Sequence, residues 1–85
     1  MATISQKGLF ALFERFPDCA ETIRGRFAES STFRTICADY RNCREALRYW
    51  KRVGGEYAAC RSREYAKLML ELEAEILQHL QEEIQ

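Results

Sequence analysis

Six apolar residues, Phe33, Ile36, Tyr40, Cys43, Leu47 and Trp50, follow one another at alternating intervals of three and four. That spacing lines one face of an α-helix for nearly three heptads, and a strand would scatter the same residues over both of its faces. One helix cannot bury such a stripe against itself, so the stripe calls for a second helix. The second helix follows directly. Tyr65, Met69, Leu72, Ile76 and Leu80 form another stripe, Leu70, Leu77 and Ile84 run beside it, and Leu68 widens the face. Between the stripes stands Gly54-Gly55. Glycine accepts the left-handed backbone that closes a helix C-terminus. Two helices over 32–53 and 56–84, joined by so short a turn, are predicted to pair antiparallel. Folding at the glycines sets opposite residues whose numbers sum to roughly 110. Trp50 then falls near Cys60, Tyr40 near Leu70 and Phe33 near Leu77.

Upstream, Thr3 and Gln6 are spaced as a capping box, as are Asp18 and Glu21, and Pro17 suits a helix entrance. These signals predict short helices near 4–15 and 18–29. The hydroxyls of Ser30, Ser31 and Thr32 are placed to cap the third helix. The expected fold is all-α: a long antiparallel hairpin, 32–53 against 56–84, with two short N-terminal helices at 3–29 packed across it. Eighty-five residues hold one domain with a thin core, so 1–85 is read as a single helical domain. Only four glycines and one proline interrupt the chain, which favours long helices over many short strands.

Three segments, "FPDCAETI" (16–23), "FRTICADY" (33–40) and "LMLELEAEILQHL" (68–80), together resemble the YdcH-like family of short bacterial proteins. That family has a Phe-Pro-acid start, a Phe opening a long helix, and a second long helix rich in Leu, Glu and Lys. The resemblance covers 16–80 and rests on helix punctuation and core spacing. It implies a small cytoplasmic helical hairpin and brings no catalytic residue with it. The chain departs from the family in its cysteines, its sharp Gly-Gly turn and its last helix, which is not lysine-rich.

The formal net charge is zero, which argues against a general nucleic-acid or membrane binder. The distribution is uneven: residues 1–67 carry +5 and residues 68–85 carry −5. Arg34, Arg41 and Arg48 recur every seven residues, and Arg44, Lys51 and Arg52 broaden the stripe. With Tyr49, Trp50 and Tyr57 nearby, a phosphate-binding face built on Arg34, Arg41, Arg44, Arg48 and Arg52 is one reading. The simpler reading pairs the basic third helix with the acidic fourth, Arg34 level with Glu75 or Ile76 and Arg41 level with Met69 or Glu71, as charges flank a coiled coil. On that reading nucleic acid is not an expected partner.

Catalytic and metal signals are weak. Cys19, Cys37, Cys43 and Cys60 contain no C-x2-C pair, whereas structural zinc sites present ligands two to four residues apart. The expected state is four reduced thiols, buried or half-buried, with no metal and no cofactor. Cys60, beside Arg61 and Arg63, is the candidate for a reactive thiol. His79 falls at the opposite end of the hairpin from Cys60, so no Cys–His pair forms, and a surface or seam histidine is expected. Glu71, Glu73 and Glu75 are two apart and do not share a helix face. An enzyme is therefore not expected. No basic opening with an apolar run marks a signal peptide, and no run of about 18 apolar residues marks a membrane span, so the expected compartment is the cytoplasm.

What remains is surplus apolar surface. "GLFALFERF" (8–16) is greasier than one narrow stripe can bury, and the fourth helix has the same excess. Phe10, Phe13, Leu77, Leu80 and Ile84 are the expected interaction surface, with Leu80 and Ile84 projecting past the level of Phe33. The expected role is non-catalytic protein–protein interaction, with a homodimer or an unknown protein partner.

Overall fold

The computed structural model describes residues 7–81, with Lys7 described through its backbone alone. Helix α1 spans Lys7–Arg15, α2 Ala20–Glu29, α3 Ser31–Val53 and α4 Glu56–Gln81, and a single 3₁₀ turn, Pro17–Cys19, leads into α2. Among the described residues there is no strand. The long α3–α4 hairpin and the two short helices packed on it are those read from the sequence. The Thr3–Gln6 box, the expected helix start at 4 and the last residues of the expected 56–84 helix lie outside the described residues.

The hairpin register follows the apolar pattern. The Cys43 thiol donates to the Tyr65 carbonyl at 3.2 Å, and the Tyr40 hydroxyl donates to Glu73 at 2.8 Å. The Phe33 and His79 rings stand 5.9 Å apart, and those of Trp50 and Tyr57 5.4 Å apart. These pairs sum to 107–113, bracketing the expected value. The turn works as its glycines require. Gly54 has φ +77° and Gly55 φ +97°, and the Gly54 N–H returns to the Trp50 carbonyl. Ser30 Oγ caps α3 by accepting from the Phe33 N–H at 3.1 Å.

The Asp18–Glu21 capping box does not form. Asp18 falls inside the 3₁₀ turn, and Cys19, the residue preceding α2, makes no side-chain cap. Pro17 opens that turn instead, so its fixed φ starts a tighter helix one step earlier.

One core holds the base of the hairpin together. Leu9 and Leu12 of α1, Ile23 of α2, Phe33, Ile36, Cys37 and Tyr40 of α3, and Ile76 and Leu80 of α4 are all buried in it. The rest of the hairpin, 46–53 against 56–67, contributes no member, and Ala58 is the one buried residue there. The reason is reach. At about 1.5 Å per residue, α1 and α2 are roughly 14–15 Å long against about 35 Å for α3. They cover the base of the hairpin and leave its tip as two helices without a third layer. The radius of gyration, 14.0 Å, exceeds the roughly 12 Å of a compact chain this long for the same reason.

Candidate interaction surface

The front of the hairpin is closed by α1. A side chain at Gly8 would meet the Cys37 carbonyl oxygen at 2.5 Å, so only glycine lets the helix backbones approach this closely. Glu14 accepts from Arg44 at 2.6 Å. Arg15 donates twice to Glu73, at 3.0 and 3.2 Å, and Tyr40 donates to the same carboxylate. Glu73 thus ties α1, α3 and α4 at one point. Its hydrogen bond and charge raise the Arg15 pKa. Burial, and then the bond to Glu73, push the Tyr40 hydroxyl well above its ordinary value. Beside this clasp runs an open groove of about 570 Å³ lined by Phe10, Phe13, Glu14, Arg41, Arg44 and Glu45. Its two arginines face two glutamates, so it has no net charge with which to select a ligand. The Arg44 Nε is buried there without a hydrogen-bond partner.

The back of the hairpin is open. Cys37, Arg41 and Arg44 face α1, whereas Asp39, Asn42 and Ala46 lie on the other side of α3. With Cys43, Tyr65, Leu68 and Leu72 they line a groove of about 300 Å³ built from α3 and α4 alone. Toward the tip, Tyr49, Trp50 and Tyr57 stack edge to face, with centroids 5.0 and 5.4 Å apart. Arg61 lies over the Tyr57 ring and donates to its hydroxyl at 3.0 Å. Tyr49 is 50% exposed, Val53 54%, Tyr57 62% and Leu68 42%. Leu47 and Trp50, expected in the seam, are only half-buried, because the tip has nothing behind it.

The expected interaction surface is thereby redrawn. Leu80 is 5% exposed and sits in the chain's own core beside Phe33 and Ile23. The base of the hairpin covers Leu80 itself, and this residue offers nothing to a partner. Ile84 lies outside the described residues. Phe10 and Leu77 are exposed, while Phe13 is half-buried with its ring 6.2 Å from that of Phe10. Phe10 and Phe13 belong to α1 on the front of α3, and Leu77 belongs to an edge of α4, so these residues do not form one patch. Sequence reasoning passes over Ala46, takes Tyr49 and Tyr57 as neighbours of a basic stripe, and takes Leu68 as widening the α4 face, without joining them into one back surface. On α3 the signal is present in the spacing of Ala46, Tyr49 and Val53, three and four residues apart, a second apolar edge.

The expected pairing of basic α3 with acidic α4 is also corrected. Among the described residues, the ion pairs between helices both involve α1: Glu14 with Arg44, and Arg15 with Glu73. Arg34 instead donates to the carbonyls of Phe27 and Ala28 at the end of α2, at 2.7 and 3.3 Å. Arg41 reaches Asn42. Arg48 and Arg52 are exposed near the tip, far along the hairpin from Glu71 and Glu75. The seven-residue arginine repeat therefore splits: Arg34, Arg41 and Arg44 are engaged within the chain, while Arg48 and Arg52 are exposed.

All four cysteines are free: Cys37 and Cys43 buried, Cys19 half-buried, and Cys60, contrary to the expected burial, exposed. Burial pushes the Cys37 thiol up to about 12 and raises that of Cys43. Arg63 points an N–H at the Cys60 sulfur from 3.5 Å. Among the described residues, no group of three or more His, Cys, Asp or Glu side chains is arranged to hold a metal ion. No described helix is long and apolar enough to cross a membrane. Compared with family models, with curated proteins and with solved structures, the chain matches none.

Proposed function

We propose that this is a non-catalytic interaction protein that self-associates through the uncovered back face of the α3–α4 hairpin. One observation carries the reading: the groove of Ala46, Tyr65, Leu68 and Leu72 runs on toward the aromatic trio at the tip, and neither α1 nor α2 covers it. The resemblance to YdcH-like proteins implies a helical hairpin and carries over no catalytic residue. The strip is roughly 30 by 20 Å, so two copies would bury about 1,200 Å² in total, at the lower edge of stable interfaces. Interfaces of that size are characteristic of weak, transient contacts, and a dimer of about micromolar affinity is the expectation, since association costs several kcal/mol before any gain appears.

Sedimentation from about 10 to 500 μM should show a monomer–dimer equilibrium in the range typical of marginal interfaces. Leu68→Glu places a charge in the groove at a side chain already 42% exposed, so it should abolish the dimer and leave the helical signal intact. A dimer untouched by Leu68→Glu would move the interface elsewhere.

A further inference from the structure

Resting on that reading, we infer that the second copy docks antiparallel, the tip of each hairpin lying over the base of the other. One feature sets the register of the two copies and a second selects their orientation. The first is the position of the groove. Its α3 residues, Asp39 to Ala46, straddle the midpoint of a helix running Ser31–Val53. A two-fold axis lying in the interface and crossing the hairpin through this groove therefore overlaps two copies along their full length. The aromatic tip of one copy then lands on the half of its mate where the back edge of α4 carries Leu72 and Glu75. Slipping the copies to either end loses that overlap.

The second feature is charge. The tip, 46–67, holds six Lys and Arg against two Glu, a net of +4. The hairpin base, 31–45 with 68–81, holds three Arg against five acids, a net of −2. The intramolecular pairs found at the front, Arg15–Glu73 and Glu14–Arg44, lie at the base and leave Arg48, Lys51 and Arg52 of the tip without acidic partners among the described residues. A parallel dimer brings two tips of +4 together. An antiparallel dimer sets each +4 tip against a −2 base, which is the arrangement like-charge repulsion selects.

The experiment is a distance measurement between nitroxides at Glu56→Cys, in a background of Cys19→Ser and Cys60→Ser, with the salt dependence of the same dimer. Residue 56 lies 12 positions from Leu68, about 18 Å along α4, so antiparallel copies separate the two labels by roughly 35–40 Å. Parallel copies hold them within about 20 Å, two helix layers apart. The expected result is the long distance, with a dissociation constant that rises about three- to tenfold between 0.05 and 0.5 M salt. Lys51→Glu with Arg52→Glu should weaken the dimer further at low salt. A short distance in a dimer that tightens with salt overturns the orientation and leaves self-association standing. A monomer at every concentration overturns both.

Discussion

Gly8→Ala tests whether α1 is seated where the structure puts it. In an exposed helix, exchanging glycine for alanine stabilises by about 0.5–1 kcal/mol, because the unfolded chain loses freedom. Here the added carbon would lie 2.5 Å from the Cys37 oxygen, 2.7 Å from its carbonyl carbon and 3.1 Å from the Ala38 nitrogen. All three are backbone atoms of a helix and cannot rotate away. Ordinary contact begins near 3.4 Å, so α1 must retreat by about 0.9 Å. A gap of that size forfeits a quarter to a half of each van der Waals well across it. Leu9, Ala11 and Leu12, all buried, would lose contact together. Overpacking typically costs about 1–3 kcal/mol. Set against the backbone gain, the net expectation is a loss of about 1–2 kcal/mol. For a domain this small that is a fall in melting temperature of about 4–8 °C per kcal/mol. Urea and thermal melts read the sign directly. A variant as stable as the parent, or more so, would refute the close approach of α1 to α3 and the front-to-back asymmetry built on it.

Alkaline pH should destabilise the fold through Tyr40 and Cys37. Both folded values lie above the unfolded ones, with the thiol raised to about 12. Their protonated forms therefore support the native state fully below about pH 8.5–10, and each group can remove up to about 1.4 kcal/mol per pH unit above it. Urea midpoints measured from pH 7 to 11 should fall above about pH 9, and Tyr40→Phe and Cys37→Ala should each flatten the fall; a flat profile in the parent would show that neither group is buried. The thiols should also separate by access. In native buffer a water-soluble disulfide reagent should modify Cys60 first and Cys19 more slowly, with Cys37 and Cys43 reacting only on unfolding. Rapid native modification of Cys37 would mean that α1 does not cover it.

The hairpin could be read from the sequence because its signals are local. A stripe of alternating threes and fours, a Gly pair and a second stripe are properties of consecutive residues, and the register followed from them to within a few positions. The covering of Leu80 could not be read that way. Whether a residue near the end of α4 is buried depends on where α1 and α2 land, and Gly8 against Cys37 and Ile23 in the shared core decide that across the chain. The charges failed for a related reason. Level matching of α3 with α4 assumed an isolated two-helix coil, while the real base has a third layer. There α1 supplies Glu14 to Arg44 and Arg15 to Glu73, and the carbonyls of Phe27 and Ala28 engage Arg34. The Asp18 cap failed locally, because Pro17 started a 3₁₀ turn that absorbed the capping residue.

A hairpin with a core at one end only should not open all at once. Backbone amides of 31–45 and 68–81 lie within or beside the buried cluster and should exchange with solvent only on global unfolding. Those of 46–67 belong to a two-helix ribbon whose one buried side chain is Ala58, and helices that short are marginal without tertiary support. The tip should therefore fray on its own, outward from the level of Cys43 and Tyr65. Whatever lies on its back face then governs how often it melts. Occupancy of the groove would be recorded as slowed exchange along 46–67, where local fraying is suppressed, in addition to the slowing that stabilisation of the whole fold gives the base.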